Sequence, residues 1–148
     1  MVAPYPDAAY CSTICGSRCC RMVDVDILEG EQLSPEYWAA NHPRLGRKQC
    51  GCLDTRGLCT IYHGGRPLMC AIYPYFPYDG GILASLSCPY VTDTVLPACA
   101  ASHTARDSVF RQITDYLRAV LSPSQIQQLE RKLRQCRGTF VLIRGNPD

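Results

Sequence analysis

The chain has 148 residues, 47% of them apolar, with eleven cysteines and a formal net charge of +2. That length fits one domain with a modest core, and near-neutral charge leaves no electrostatic footprint for nucleic acid. No run approaches the roughly 18 apolar residues of a membrane span, so neither nucleic acid nor a membrane is expected as a partner.

In chain order, residues 1–10 carry two prolines and little periodicity, and they read as an extended lead-in or a frayed end. A dense thiol patch follows: Cys11-Ser-Thr-Ile-Cys15-Gly-Ser-Arg-Cys19-Cys20. Gly16 and Ser17 suit a turn that lets several thiols converge. Cys19 and Cys20 are adjacent, so in an extended segment their side chains point in opposite directions. One of the two is as readily a small buried apolar residue as a ligand.

Residues 23–28 alternate briefly and predict a short strand or turn. Ser34-Pro35-Glu36 predicts a helix start, with Ser34 as cap and Pro35 in the first position. This helix is expected to run through Tyr37, Trp38, Ala39 and Ala40, with both aromatics in the core, and to stop near His42, which is read as solvent-facing. Arg47 and Lys48 belong to a solvated loop. Cys50-Gly51-Cys52-Leu53 opens the central segment, and residues 54–57 predict a hairpin turn that places Cys52 and Cys59 across from each other.

The segment 59–74, Cys-Thr-Ile-Tyr-His-Gly-Gly-Arg-Pro-Leu-Met-Cys-Ala-Ile-Tyr-Pro, organises the reading. Gly64 and Gly65 permit a tight turn. Pro67 fixes its own φ and holds Arg66 extended. Cys59 and Cys70 are thereby offered from two short arms folded back on each other. His63 is either a ligand or proton donor, or a polar turn residue. Residues 73–78 are aromatic and proline-rich and fit neither a helix nor a central strand. They predict an aromatic mini-core, or an apolar shell that excludes water from a metal. Residues 79–81 are a turn, 82–86 a strand ending at Cys88-Pro89, and 91–99 a connector in which Cys99 is a further ligand or a buried thiol.

The last third is helical. Val109, Phe110, Ile113, Tyr116, Leu117 and Val120 make one apolar face at helical spacing. Ser122 and Gln125 form a capping box for a second helix, whose stripe is Ile126, Leu129, Leu133 and Cys136. Gly138 ends it, and residues 139–144 predict a final strand. Arg131, Lys132, Arg134 and Arg137 suit the helix dipole and could dock an acidic partner. The expected class is α+β: a single domain, 1–148, with a cysteine-rich, metal-centred core at 11–90 and a helical part at 103–138.

Eleven cysteines imply either disulfides or thiolates on metal. The opening Met-Val-Ala-Pro-Tyr-Pro-Asp lacks the basic and apolar regions of a secretory signal. The odd count and the adjacent pair fit a disulfide framework poorly. Reduced metal binding in the cytoplasm is therefore expected. Eight cysteines stand in motif-like settings: Cys11, Cys15, Cys19, Cys20, Cys52, Cys59, Cys70 and Cys88. Soft thiolates exclude magnesium and calcium; zinc and iron–sulfur clusters both accept four thiolates. The spacing matches neither a paired C-x2-C zinc pattern nor a C-x2-C-x2-C ferredoxin run, so the metal stays open, as does the choice between one centre and two.

Taken in order, Cys19-Cys20, Cys52-Leu53, Cys59-Thr-Ile-Tyr62, Arg66-Pro67-Leu-Met-Cys70, Tyr73-Pro74 and Cys88-Pro89 resemble the CxxCxxCC (YkgJ-like) family of zinc- or iron-chelating domains. They are also similar to the cysteine-rich, cluster-bearing domain of flagellin lysine N-methylases. The resemblance covers about residues 11–90. This chain departs from it at the start, with C-x3-C-x3-C-C in place of C-x2-C-x2-C-C, which leaves open which early cysteines bind. The resemblance implies a metal, iron–sulfur or zinc. The expectation is one or two [4Fe-4S] clusters on the eight cysteines, with Arg66 and His63 beside them, in an electron-transfer or oxidoreductase role with a redox partner protein. The alternatives are a zinc-stabilised partner-binding module and an accessory to methyl transfer.

Overall fold

The computed structural model describes residues 2–15, 26–41, 50–135 and 138–145. They form an α+β protein that divides into two compact units. One is Pro6–Ala71; the other joins the segment ending at Tyr5 to the chain from Ile72 onward. Among the described residues, no helix is long and apolar enough to cross a membrane.

The second unit contains the sheet. Strands β1 (Tyr75–Tyr78), β2 (Gly81–Ser85) and β3 (Phe140–Ile143) lie antiparallel in the order β1-β2-β3. A two-residue turn joins β1 to β2, with Asp79 at φ 49° and Gly80 at φ 73°. Both central residues are left-handed, as such a hairpin requires, and aspartate and glycine tolerate that conformation. Residues 75–78 of the proline-rich stretch thus form a strand, at an edge of the sheet and not in its centre. The register explains why Pro77 is tolerated. Ser85 N–H donates to the Pro74 carbonyl, and Phe76 stands opposite Leu83. Backbone groups alternate along a strand, so position 77 turns its nitrogen away from β2, where the missing donor breaks no ladder bond.

Alternation also sorts the side chains. Tyr75, Pro77, Ile82, Ala84 and Ile143 share one face of the sheet, and all are buried. Helix α5 (His103–Val120) packs against β1 and β2, and α6 (Pro123–Gln135) against β1. Val109, Ile113 and Leu117 form the buried stripe of α5; burying each such side chain contributes about 1.5–3 kcal/mol. The predicted capping box is reciprocal: Gln125 Oε1 accepts from Ser122 N–H (2.9 Å), and Ser122 Oγ accepts from Gln125 N–H (3.2 Å). Cys136 and Arg137 lie outside the described residues.

Residues 91–99 are not a mere connector: Val91–Val95 is a short π-helix leading into α4 (Leu96–Ala101). Val91 and Val95, four apart, are both fully buried, and Pro97 falls in the first turn of α4, where a missing N–H costs nothing. Nor is the lead-in frayed. Tyr75 Oη donates to the Pro4 carbonyl and Tyr90 Oη to the Ala3 carbonyl, each at 2.6 Å. Tyr5 donates to the Ile72 carbonyl and meets the rings of Tyr75 and Tyr116 edge-on. Tyrosine hydroxyls in this unit collect the backbone acceptors that a segment without ladder partners leaves exposed.

The described residues of the Pro6–Ala71 unit include little regular structure. It contains α1 (Ala8–Thr13), α2 (Pro35–Asn41) and most of α3 (Leu68–Ile72). Asp7 caps α1 by accepting from Tyr10 N–H at 2.8 Å, and Ser34 caps α2 by accepting from Tyr37 N–H at 3.1 Å. Tyr37 is buried as expected, but Trp38 is 53% exposed, which overturns its placement in the core. Positions 37 and 38 are about 100° apart around a helix, so a short helix buries one and shows the other. Residues 26–28 take no strand, and 23–25 lie outside the described residues, as do His42, Arg47 and Lys48.

Candidate metal centre

Three side chains fasten the irregular loops of the cysteine-rich unit. Glu31 accepts from Leu28 N–H through one oxygen and from Leu68 N–H, at the start of α3, through the other. Ser34, besides capping α2, donates to the Gly65 carbonyl at 2.7 Å. Gly65 has φ 85°, and a Cβ there would meet the Ser34 hydroxyl at 3.0 Å, so both backbone sign and space reserve the position for glycine. Asn41, buried at the end of α2, donates to the Tyr37 carbonyl (3.0 Å) and to Cys52 Sγ (3.6 Å), and accepts from Gly51 N–H (2.8 Å).

The turn at 54–57 forms as expected. Asp54 Oδ1 accepts from the N–H groups of Arg56 and Leu58, each at 2.9 Å, and these bonds hold its carboxyl below the usual carboxylate range. Asp54 N–H donates to the Leu58 carbonyl, and Gly57 takes φ 80°. The paired strands reduce to a single bridge between Leu53 and Cys59, extended by Thr60, whose N–H and hydroxyl both donate to the Cys52 carbonyl at 2.9 Å. The register differs by one from the expected pairing: Cys59 stands opposite Leu53, and Cys52 is bonded to Thr60, with Cys59 still close enough to act on its thiol.

Cys50 joins them. Burial pushes the Cys52 thiol up to about 11, and the neighbouring Cys50 and Cys59 add to the rise; the Asn41 amide opposes it. Thiols so close cannot all ionise unless a positive charge compensates them. Cys50 was not among the eight predicted ligands. The C-x-C spacing around Gly51 is the signal that pointed to it.

A second neighbourhood gathers around Tyr62. The Arg66 guanidinium lies over its ring, 4.4 Å from the centroid, and Arg66 Nη1 donates to the Cys70 carbonyl at 3.3 Å. Tyr62 Oη donates to the Pro6 carbonyl at 2.6 Å. Burial pushes this phenol up to about 12, with Cys11 raising it further and Arg66 opposing. His63 is exposed, its ring edge-on to Tyr62 at 5.3 Å. Cys11 lies within α1, and Cys15 follows it by four residues. Cys15 lies past the end of α1 at Thr13, and its N–H donates to the Tyr10 carbonyl five residues back, a bond that closes the helix.

Cys19 and Cys20 lie outside the described residues. Cys70 rides on α3. Cys88 belongs to the sheet unit, where it is buried; Cys88 and Cys99 both stand near the Tyr75 phenol, which burial drives far up. No disulfide joins two of the described cysteines. Among the described residues, no three His, Cys, Asp or Glu side chains form a ready-made ligand set. Comparison with family models, curated proteins and solved structures gives no match for this chain.

Proposed function

We propose that the Pro6–Ala71 unit binds a thiolate-ligated metal centre, an iron–sulfur cluster of [4Fe-4S] type, and serves electron transfer in a reducing, cytoplasmic setting. The observation that carries this reading is that Cys50 and Cys59 both stand near the buried Cys52 thiol, to which the Asn41 amide donates. The donor set fits the group: soft sulfur ligands suit iron–sulfur clusters and zinc and exclude hard cations. Cys50, Cys52 and Cys59 would hold it, with further thiolate from the Cys11–Cys20 patch or Cys70, in keeping with the resemblance to chelating CxxCxxCC domains. When bound, such a cluster supplies a one-electron redox couple.

The chain's own residues have separable parts in this reading. Asn41 donates to sulfur, which favours the thiolate. Asp54 shapes the turn that sets the Cys52–Cys59 approach. Arg66 contributes positive charge over Tyr62 on the Cys11 side, and a fixed cation favours the more negative, reduced state of a nearby centre.

The test is anaerobic purification followed by iron, sulfide and zinc analysis of the wild type, Cys52→Ser and Cys59→Ser. A brown protein with a broad band near about 400 nm, lost in both variants, is the expected result. Colourless protein with stoichiometric zinc, also lost in both variants, would replace the cluster by a zinc-stabilised partner-binding module. Full metal occupancy in both variants would remove the thiol trio from the centre.

A further inference from the structure

The two edges of the sheet are built differently. On the β1 side, Pro77 has no N–H to present outward, and α6 packs against the strand; proline and a covering helix are two of the means by which sheet edges are closed to further pairing. On the β3 side the ladder stays open. Leu86 N–H donates to the Thr139 carbonyl, and Ala84 and Ile82 stand opposite Val141 and Ile143. Alternation therefore turns the backbone of 139, 141 and 143 toward β2 and the N–H and C=O of Phe140 and Leu142 away from it. These outward groups have no backbone partner among the described residues.

A cleft of about 470 Å³ lies along that open edge, lined by residues 141–144, by Leu96, Cys99 and Ala100 of α4, and by Arg106 of α5. Three consecutive strand residues, 141–143, line it together with Arg144, as a cleft along the strand's edge requires, because a cleft against a face meets every second side chain. The cleft carries two cations. Arg106 is ion-paired with Asp107, Nε to Oδ1 at 3.8 Å, but neither buried atom has a hydrogen-bond partner among the described residues. Arg144 is paired with Asp79 at 3.9 Å, both side chains more than half exposed, and such a pair contributes little and is readily exchanged. Leu142, 41% exposed, gives the edge an apolar side chain.

We propose that the β3 edge and its cleft form a docking site for an extended acidic peptide, which adds to the sheet as a fourth strand. Main-chain bonds to Phe140 and Leu142 supply the affinity, as in other strand additions. Carboxylates facing Arg106 and Arg144 supply the selection, since the guanidinium fork matches carboxylate geometry. The proposal is independent of the metal centre, because it uses only residues of the sheet unit.

The probe is a fluorescein-labelled octapeptide alternating valine and glutamate, followed by anisotropy at low ionic strength on the full chain. Saturable binding is expected, with the lysine counterpart at least about tenfold weaker, as charge complementarity requires. The same acidic peptide N-methylated at alternate residues is also expected to lose at least about tenfold, because its own donors are gone; this arm leaves the protein unchanged. Arg106→Gln and Arg144→Gln each weaken binding. Leu142→Pro removes an outward donor as Pro77 does in β1, and it weakens binding while circular dichroism shows the fold retained. Absence of binding, equal binding of the N-methylated or lysine peptide, or full competition by free glutarate at the peptide's own concentration would overturn the proposal, the last by making the cleft a small-anion site.

Discussion

The two units hold themselves together by different means. In the sheet unit, Tyr75, Ile82, Val91, Val95, Val109 and Ile113 are shut away from water, and two long amphipathic helices lie on an antiparallel sheet. In the cysteine-rich unit, Leu28, Tyr37, Cys52 and Pro67 are buried, and the path of the chain is set by Glu31, Ser34, Asn41 and Asp54 bonding to backbone. Apolar burial is non-directional and scales with area. Side-chain-to-backbone bonds fix geometry but contribute only about 0.5–1.5 kcal/mol net each. The first unit is stable by its core. The second, in its described residues, has a specified shape and few buried apolar side chains, which is the condition under which a bound metal contributes most to folding.

The largest expected effect tests the apolar side of this contrast. Ile113→Ala should destabilise the sheet unit by about 2–5 kcal/mol, read by urea denaturation, with hydrogen exchange accelerating first in α5 and β1–β3. A change confined to the cysteine-rich unit would break the comparison. Asn41→Ala is the matching test on the polar side. It removes the acceptor of Gly51 N–H and the amide donor to Tyr37 and Cys52, at about 0.5–1.5 kcal/mol for each bond lost, and exchange at residues 50–60 should rise while α5 and α6 stay protected. Equal loosening of both units would show that they do not differ as described.

A pH dependence should sharpen the contrast. Cys52 ionises at about 11 in the fold against about 9 for an ordinary thiol. The fold therefore favours the neutral thiol. This contribution is complete below about pH 9 and is lost as pH rises toward 11. Denaturation of reduced, metal-free protein across that window should show the decline, and Cys52→Ala should remove it. An unchanged slope in Cys52→Ala would assign the decline to other groups. The smallest effect is Ser122→Ala, which opens the capping box of α6 and should cost about 1 kcal/mol in thermal denaturation of the sheet unit, without altering exchange at residues 50–60.

The α5 stripe, the Ser122–Gln125 box, the Ser34 cap, the Asp79-Gly80 turn and the last strand were all legible in the chain, because each depends on spacing or on one residue's own conformational limits. So was the turn at 54–57, though not the register that sets Cys59 opposite Leu53 instead of Cys52. What the chain did not disclose depended on partners far away in sequence. Pro77 marked residues 73–78 as unfit for a central strand, yet register placed that proline where its missing donor faces outward. Residues 91–99 read as a connector because nothing local shows that Val91 and Val95 are buried. The choice between an extended and a frayed lead-in stayed open because nothing local shows that Tyr75 and Tyr90, more than seventy residues away, take up its carbonyls. Cys50 and Asn41 gained their meaning only when α2 and the 54–57 turn met. Local propensity is written residue by residue; which donors find which acceptors, and which of two strand edges stays open, is decided only when the chain closes on itself.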